Sequence, residues 1–60
     1  MATEFEIYKD DAGEYRWRLQ DDNNRIIADS AEGYTRKESV MNAVPNVQDA
    51  AARATINDRT

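Results

Sequence analysis

Apolar and polar residues alternate in two stretches near the N-terminus. Glu4-Phe5-Glu6-Ile7-Tyr8-Lys9 reads as one strand. Residues 14–20 read as a second, with Tyr15, Trp17 and Leu19 on one face and Glu14, Arg16, Arg18 and Gln20 on the other. Asp10-Asp11-Ala12-Gly13 between them is a turn signal. A three-residue loop with Gly13 as a left-handed bulge residue pairs Asp10 with Glu14. It sets Ile7 opposite Trp17, Phe5 opposite Leu19 and Glu6 opposite Arg18. A four-residue loop would put Ile7 opposite Arg16, because a slip of one residue turns every side chain over.

A second hairpin is predicted at Asn23-Asn24, since asparagine tolerates positive φ. A two-residue type I′ loop there pairs Asp22 with Arg25, Leu19 with Ala28 and Arg18 with Asp29. Ile26 and Ala28 then share the Trp17 face, and Ile27 joins Tyr8 on the other. The three strands make an antiparallel meander with one apolar face.

Ser30 to Tyr34 reads as a loop around Gly33, and Thr35 with Glu38 as a capping box that starts a helix near Arg36. Val40, Val44, Val47 and Ala51 recur at helical spacing and form the stripe that covers the sheet. Pro45 lacks an amide hydrogen, which predicts a kinked helix or two short ones over 36–43 and 46–52, with Asn46 near the break. Ala54-Thr55-Ile56-Asn57-Asp58 has β character around one isoleucine, useful only as an addition to a sheet edge. No repeat or linker interrupts the chain, so residues 1–60 read as one domain of α+β class.

Composition changes the picture in one respect. Of the 40% of residues that count as hydrophobic, nine are alanine, leaving fifteen larger apolar side chains, and Met1 is not expected among the core. A core of this size rarely nets more than roughly 3–5 kcal/mol. Without cysteine or histidine, disulfide and zinc staples are absent, and oligomerisation is the one that remains. The lack of cysteine fits a reducing compartment, and no apolar run is long enough for a signal peptide or membrane span, so the cytoplasm is the expected location. Twelve acidic residues face eight basic ones, six of them Arg, for a net charge of −4. Such an acidic, lysine-poor, alanine-rich chain has the look of a halophilic protein, whose carboxylates repel one another until salt screens them.

The stretch FEIYKDDAGEYRWRLQDDNNRIIADSAEGYTRKESVMNAV, running into NVQDAAARATIND, resembles the YegP-like family of domains. The motifs that carry the resemblance fall on Phe5 to Tyr8, on the Gly-x-Tyr-Arg-Trp-Arg-Leu strand from Gly13 to Leu19, on the Asn23-Asn24 turn, and on Gly33-Tyr34. It extends over about nine-tenths of the chain. Asn24 stands where the family turn more often has Gly, and Pro45 sits inside the family's helical segment. The resemblance implies a β-β-β-α-β unit that does not stand alone. Two units, as tandem repeats or two subunits, form one sheet and exchange their last strands. With one unit present, it implies a homodimer with the strand Ala54 to Asp58 swapped; Trp17, Val47 and Ile56 are the residues expected at the interface of such a dimer. The resemblance implies no activity.

Candidate chemistry is sparse. Asp10, Asp11 and Glu14, or Asp21 and Asp22, lack calcium-loop spacing and read as local turn hydrogen bonding. Glu4, Glu6 and Glu32 have no apolar pocket to raise a pKa, Ser30 and Ser39 have no partner base, and no catalytic, metal or cofactor residue is assigned. Gly33 carries no phosphate-loop pattern, although the helix start near Thr35, Arg36 and Lys37 has the polarity to attract an anion. Arg16, Arg18 and Arg25 with Tyr8 form the best candidate contact face. Glu6, Asp29 and Glu4 lie among them and are expected to pair with them across the strands. Trp17 and Tyr15 are expected in the core or dimer interface. The resulting expectation is a non-enzymatic homodimer whose arginine-bearing face contacts another macromolecule, its protein partner unnamed. The alternative is nucleic-acid binding through Tyr8, Arg16, Arg18 and Arg25.

Overall fold

A computed structural model describes residues 2–60, so Met1 lies outside the described residues. Three strands, β1 (Glu4–Lys9), β2 (Tyr15–Gln20) and β3 (Ile26–Asp29), form an antiparallel sheet in the order β1-β2-β3, followed by one helix, α1 (Lys37–Arg53). The first hairpin has the register its alternation predicts. Phe5 faces Leu19, Glu6 faces Arg18 and Ile7 faces Trp17. Gly13 takes φ +83°, and the Gly13 amide donates to Asp10 O at 3.0 Å while the Asp10 amide donates to Glu14 O at 2.9 Å. This is the three-residue loop with a left-handed closing residue.

The second turn differs from its expectation. Asp21, not Asp22, closes it, with the Asp21 amide on Arg25 O at 2.9 Å and the Asn24 amide on Asp21 O at 3.1 Å. Asn24 sits at φ 63°, in the role Gly13 plays in the first turn. The loop is therefore three residues long rather than a two-residue type I′ turn. Arg18 still faces Asp29 and Leu19 faces Ala28, but Gln20 then faces Ile26, and a bulge between Leu19 and Gln20 leaves Ile27 without a partner. In consequence Ile26 lies with Gln20 on the arginine side, not with Ala28 on the Trp17 side, and Ile27 is the bulge residue instead of a regular neighbour of Tyr8.

Beyond β3 the chain continues alongside β2. The Ser30 amide donates to Trp17 O at 2.9 Å, and the Trp17 amide donates back to Ser30 Oγ at 3.2 Å. The buried hydroxyl stands in for a backbone carbonyl, so the ladder holds while the strand breaks. Tyr15 and Tyr34 then exchange amide bonds of 2.7 and 2.8 Å. A β-carbon on Gly33 would lie 2.9 Å from Glu14 Cβ, so this return crosses β2 where only glycine fits.

α1 is one helix of 17 residues, not two short ones. Pro45 and Met41 both face solvent, so water can reach the Met41 carbonyl that Pro45 leaves without an amide partner. The Thr35–Glu38 capping box does not form. Arg36 is the N-cap without a side-chain cap bond, Glu38 pairs with Arg36 at 3.3 Å, and the Ser39 amide closes the first turn on Arg36 O at 3.2 Å. Val40 is fully buried, Ala43, Val44 and Val47 are half-buried, and Ala51 is exposed, so the stripe runs off the sheet at its C-terminal end. α1 packs over β2 and β1 and does not reach β3.

The core centres on Trp17, whose ring meets Phe5 edge-on at 5.4 Å between centroids, and on Val40 beneath the helix. Ile26, Ile27 and Met41 are exposed, and Ile56 is 99% exposed on a tail that leaves α1 at Ala54 in extended conformation and joins no ladder among the described residues.

Candidate functional site

The four residues of the candidate contact face do not form one cluster. Tyr8 is the cross-strand partner of Arg16, and the Arg18 guanidinium stacks on the Tyr8 ring at 4.5 Å, so three of them meet. Arg25 belongs to the second turn, at the other end of β2, opposite Asp21.

Each arginine is already held by a carboxylate. Arg18 Nη2 and Nε both reach Glu6 Oε1 at 2.5 Å, the pairing that the hairpin register dictates. Arg16 Nε donates to Asp10 Oδ2 at 2.6 Å, and Arg25 Nε to Asp21 Oδ2 at 2.9 Å. Asp29, although the cross-strand partner of Arg18, makes no ion pair among the described residues, nor does Glu4. The expected pairing of Glu4 and Asp29 with the arginines is thus replaced by pairing with the turn aspartates.

Those aspartates do the same work twice. Asp10 Oδ1 accepts the amides of Ala12 and Glu14, both at 2.9 Å. Asp21 Oδ1 accepts those of Asn23 and Arg25, at 2.9 and 3.0 Å. In each turn one carboxylate oxygen binds the loop backbone and the other binds an arginine. The Arg16 bond, then the Glu14 amide, holds the Asp10 carboxyl below the usual range, and Asp10 in turn raises Arg16. Asp21 is lowered chiefly by the Arg25 amide. The signal for this equivalence is in the sequence, where Asp-Asp-x-Gly at 10–13 recurs as Asp-Asp-x-Asn at 21–24.

Five carboxylates, of Glu4, Glu6, Asp10, Asp21 and Asp29, therefore share this region with three guanidiniums. A polyanion would find no surplus of positive charge there. Ala2, Glu4, Asp21, Asp22 and Asn24 line an open hollow, and among the described residues no group of carboxylates converges on a metal-sized position.

The residues expected at a dimer interface are scattered by depth. Trp17 is 7% exposed within one chain, Val47 is half-buried on α1, and Ile56 projects into solvent. No helix among the described residues is long and apolar enough to cross a membrane.

The chain is similar to a UPF0339 protein of Neisseria meningitidis serogroup B, 46% identical over 54 residues, which cover 90% of this chain and 95% of that one. A UPF0339 protein of Mesorhizobium japonicum is 40% identical over 60 residues, spanning both chains in full. The fold matches the NMR solution structure of a protein from Haloferax volcanii with a TM-score of 0.87, at 38% identity and over 95% of each chain. None of these names states an activity. The model of the "Domain of unknown function (DUF1508)" matches residues 10–58, and with it the chain belongs to the DUF1508 family of UPF0339 proteins, the YegP-like domains.

Proposed function

We propose that the chain works as a non-enzymatic homodimer whose subunits exchange their C-terminal segments, forming a cytoplasmic module that binds another protein. Surface area carries this reading. The single chain exposes 4924 Å², whereas a compact monomer of 6.9 kDa exposes about 4,000 Å². The excess, about 900 Å², is close to the roughly 800 Å² that each partner gives to a standard interface. Its radius of gyration, 12.8 Å, likewise exceeds the roughly 10 Å of a compact 60-residue fold. Much of the apolar surface waiting to be covered is at Ile56, Met41, Ile26 and Ile27. A two-fold interface is the commonest way to cover such a surface. The neutralised arginine face argues against nucleic acid, and the Asp10 and Asp21 carboxylates, both held below their usual range, are bound to backbone and arginine rather than poised for proton transfer.

Coupled folding and dimerisation make the melting temperature depend on protein concentration. Thermal melts over about a hundredfold concentration range, at high salt to screen the acidic surface, should show Tm rising with concentration. A Tm independent of concentration would contradict the homodimer.

A further inference from the structure

Among the described residues no element covers the side of the sheet away from α1. By register this side carries three rows. Glu4, Gln20 and Ile26 form the first, Glu6, Arg18 and Asp29 the second, and Tyr8 with Arg16 the third. The middle of the face is already fixed. Arg18 is held by Glu6 and stacked on Tyr8, and Arg16 is held by Asp10, so docking there would freeze few side chains. Two diagonal corners are different. Glu4 and Asp29 are exposed and make no ion pair among the described residues. Ile26, beside Gln20, is 49% exposed.

The hollow gives the Glu4 corner depth. Its volume of about 210 Å³ compares with the roughly 10–15 Å³ that one water needs. Of the carboxylates that line it, Asp21 is committed to Arg25 and to its own turn, whereas Glu4 and Asp22 have no cation among the described residues. Oxygens too dispersed for a metal ion still suit the head of a long cationic side chain, which carries several donors. From Glu4 to Asp29 the path crosses two strand spacings of about 4.8 Å and two residues of about 3.3 Å, a diagonal of about 12 Å. An extended segment spans about 13 Å in four residues, and its first, third and fifth side chains share one side.

We propose that this face docks an extended segment of another protein with the pattern cation-x-apolar-x-cation, laid diagonally across the strands. This rests on the reading that the chain binds another protein, and it specifies the surface and the partner's chemistry. One Lys or Arg of the segment enters the hollow between Glu4 and Asp22, and the other meets Asp29. The apolar side chain between them lies on the stems of Gln20 and Arg18, next to Ile26. The two carboxylates that outnumber the guanidiniums of this region are then the two that the partner neutralises. An acidic segment would bring like charge against Glu4, Asp22 and Asp29, and a nucleic-acid strand would do the same.

The test is a titration with the blocked peptide Gly-Thr-Lys-Thr-Val-Thr-Lys-Thr-Gly, followed by amide chemical shifts at moderate salt. The largest shifts should fall around Glu4, Gln20, Asp22, Ile26 and Asp29. Glu4→Gln combined with Asp29→Asn should raise the Kd of the peptide roughly five- to tenfold. Asp11→Asn combined with Glu32→Gln removes the same charge from exposed residues off this face. It should raise Kd less than about twofold, because salt screens charges beyond about 8 Å. Equal losses in the two double variants would reduce binding to net charge and overturn the site. Equal affinity for a peptide of the same composition with its lysines adjacent would overturn the diagonal. Shifts confined to α1 or the tail would overturn this face while leaving a protein-binding module standing, and a peptide that shifts nothing up to millimolar concentration would overturn the cation pattern. A single-stranded oligonucleotide that binds these residues where the peptide does not would overturn the protein partner itself.

Discussion

Trp17→Ala should cost roughly 3–5 kcal/mol of stability, enough to unfold most of the population of so small a chain. Trp17 is 7% exposed, and with Val40 it makes up the buried apolar centre of the described residues. Its ring meets Phe5 edge-on, so truncation removes both the buried area and an aromatic pair that no neighbour can replace. The surrounding Phe5, Ile7, Leu19 and Val44 are only half-buried, and helix and sheet offer little else to collapse into the gap. Urea titration followed by far-ultraviolet circular dichroism is the suitable measurement, because Trp17 is the single tryptophan and its fluorescence goes with it. Trp17→Phe keeps a ring in place and should lose distinctly less. An unchanged urea midpoint for Trp17→Ala would mean that the apolar face has been assigned to the wrong side of the sheet.

Removing residues 54–60 should raise the dimer dissociation constant by about a hundredfold or more and lower Tm. Within one chain these residues are all exposed and, among the described residues, pair with nothing beyond their own tail, so a monomeric fold would change by no more than about 0.5 kcal/mol. In an exchanged dimer the deletion removes two copies of Ile56. Burial of each such side chain contributes roughly 1.5–3 kcal/mol, and every 1.4 kcal/mol is a factor of about ten in the constant. Ile56→Ala tests the same contribution without shortening the strand and should show a large part of the effect. Sedimentation velocity over a dilution series measures the constant. A truncated chain with unaltered association and Tm would remove the tail from the interface.

The first hairpin is legible in the sequence because two constraints coincide there. Strict alternation in both strands and a glycine at the left-handed position leave one register. The second hairpin has the same turn chemistry, but asparagine occupies the left-handed position, and an Asn-Asn pair reads more readily as a two-residue loop. The surplus residue reappears as the bulge at Ile27, a tertiary accommodation that no local preference at that position announces. Pro45 misleads for a different reason. Its cost depends on whether the orphaned carbonyl is buried, and helical spacing places Met41 and Pro45 together on the solvent side. The Glu6–Arg18 pair follows from register alone. The pairing of Asp10 with Arg16 and Asp21 with Arg25 does not, because it needs the turn geometry that aims each carboxylate back along the strand. Ser30 is the least legible residue of all. Its hydroxyl acts as a strand carbonyl only once the neighbouring backbone has turned away.

Native mass is the direct test of the account, measured by light scattering across a dilution series in high salt. A mass near twice 6.9 kDa at all but the lowest concentrations is the expected result, with the surplus surface of the single chain covered by its partner. A folded species that stays near 6.9 kDa at every concentration would contradict it.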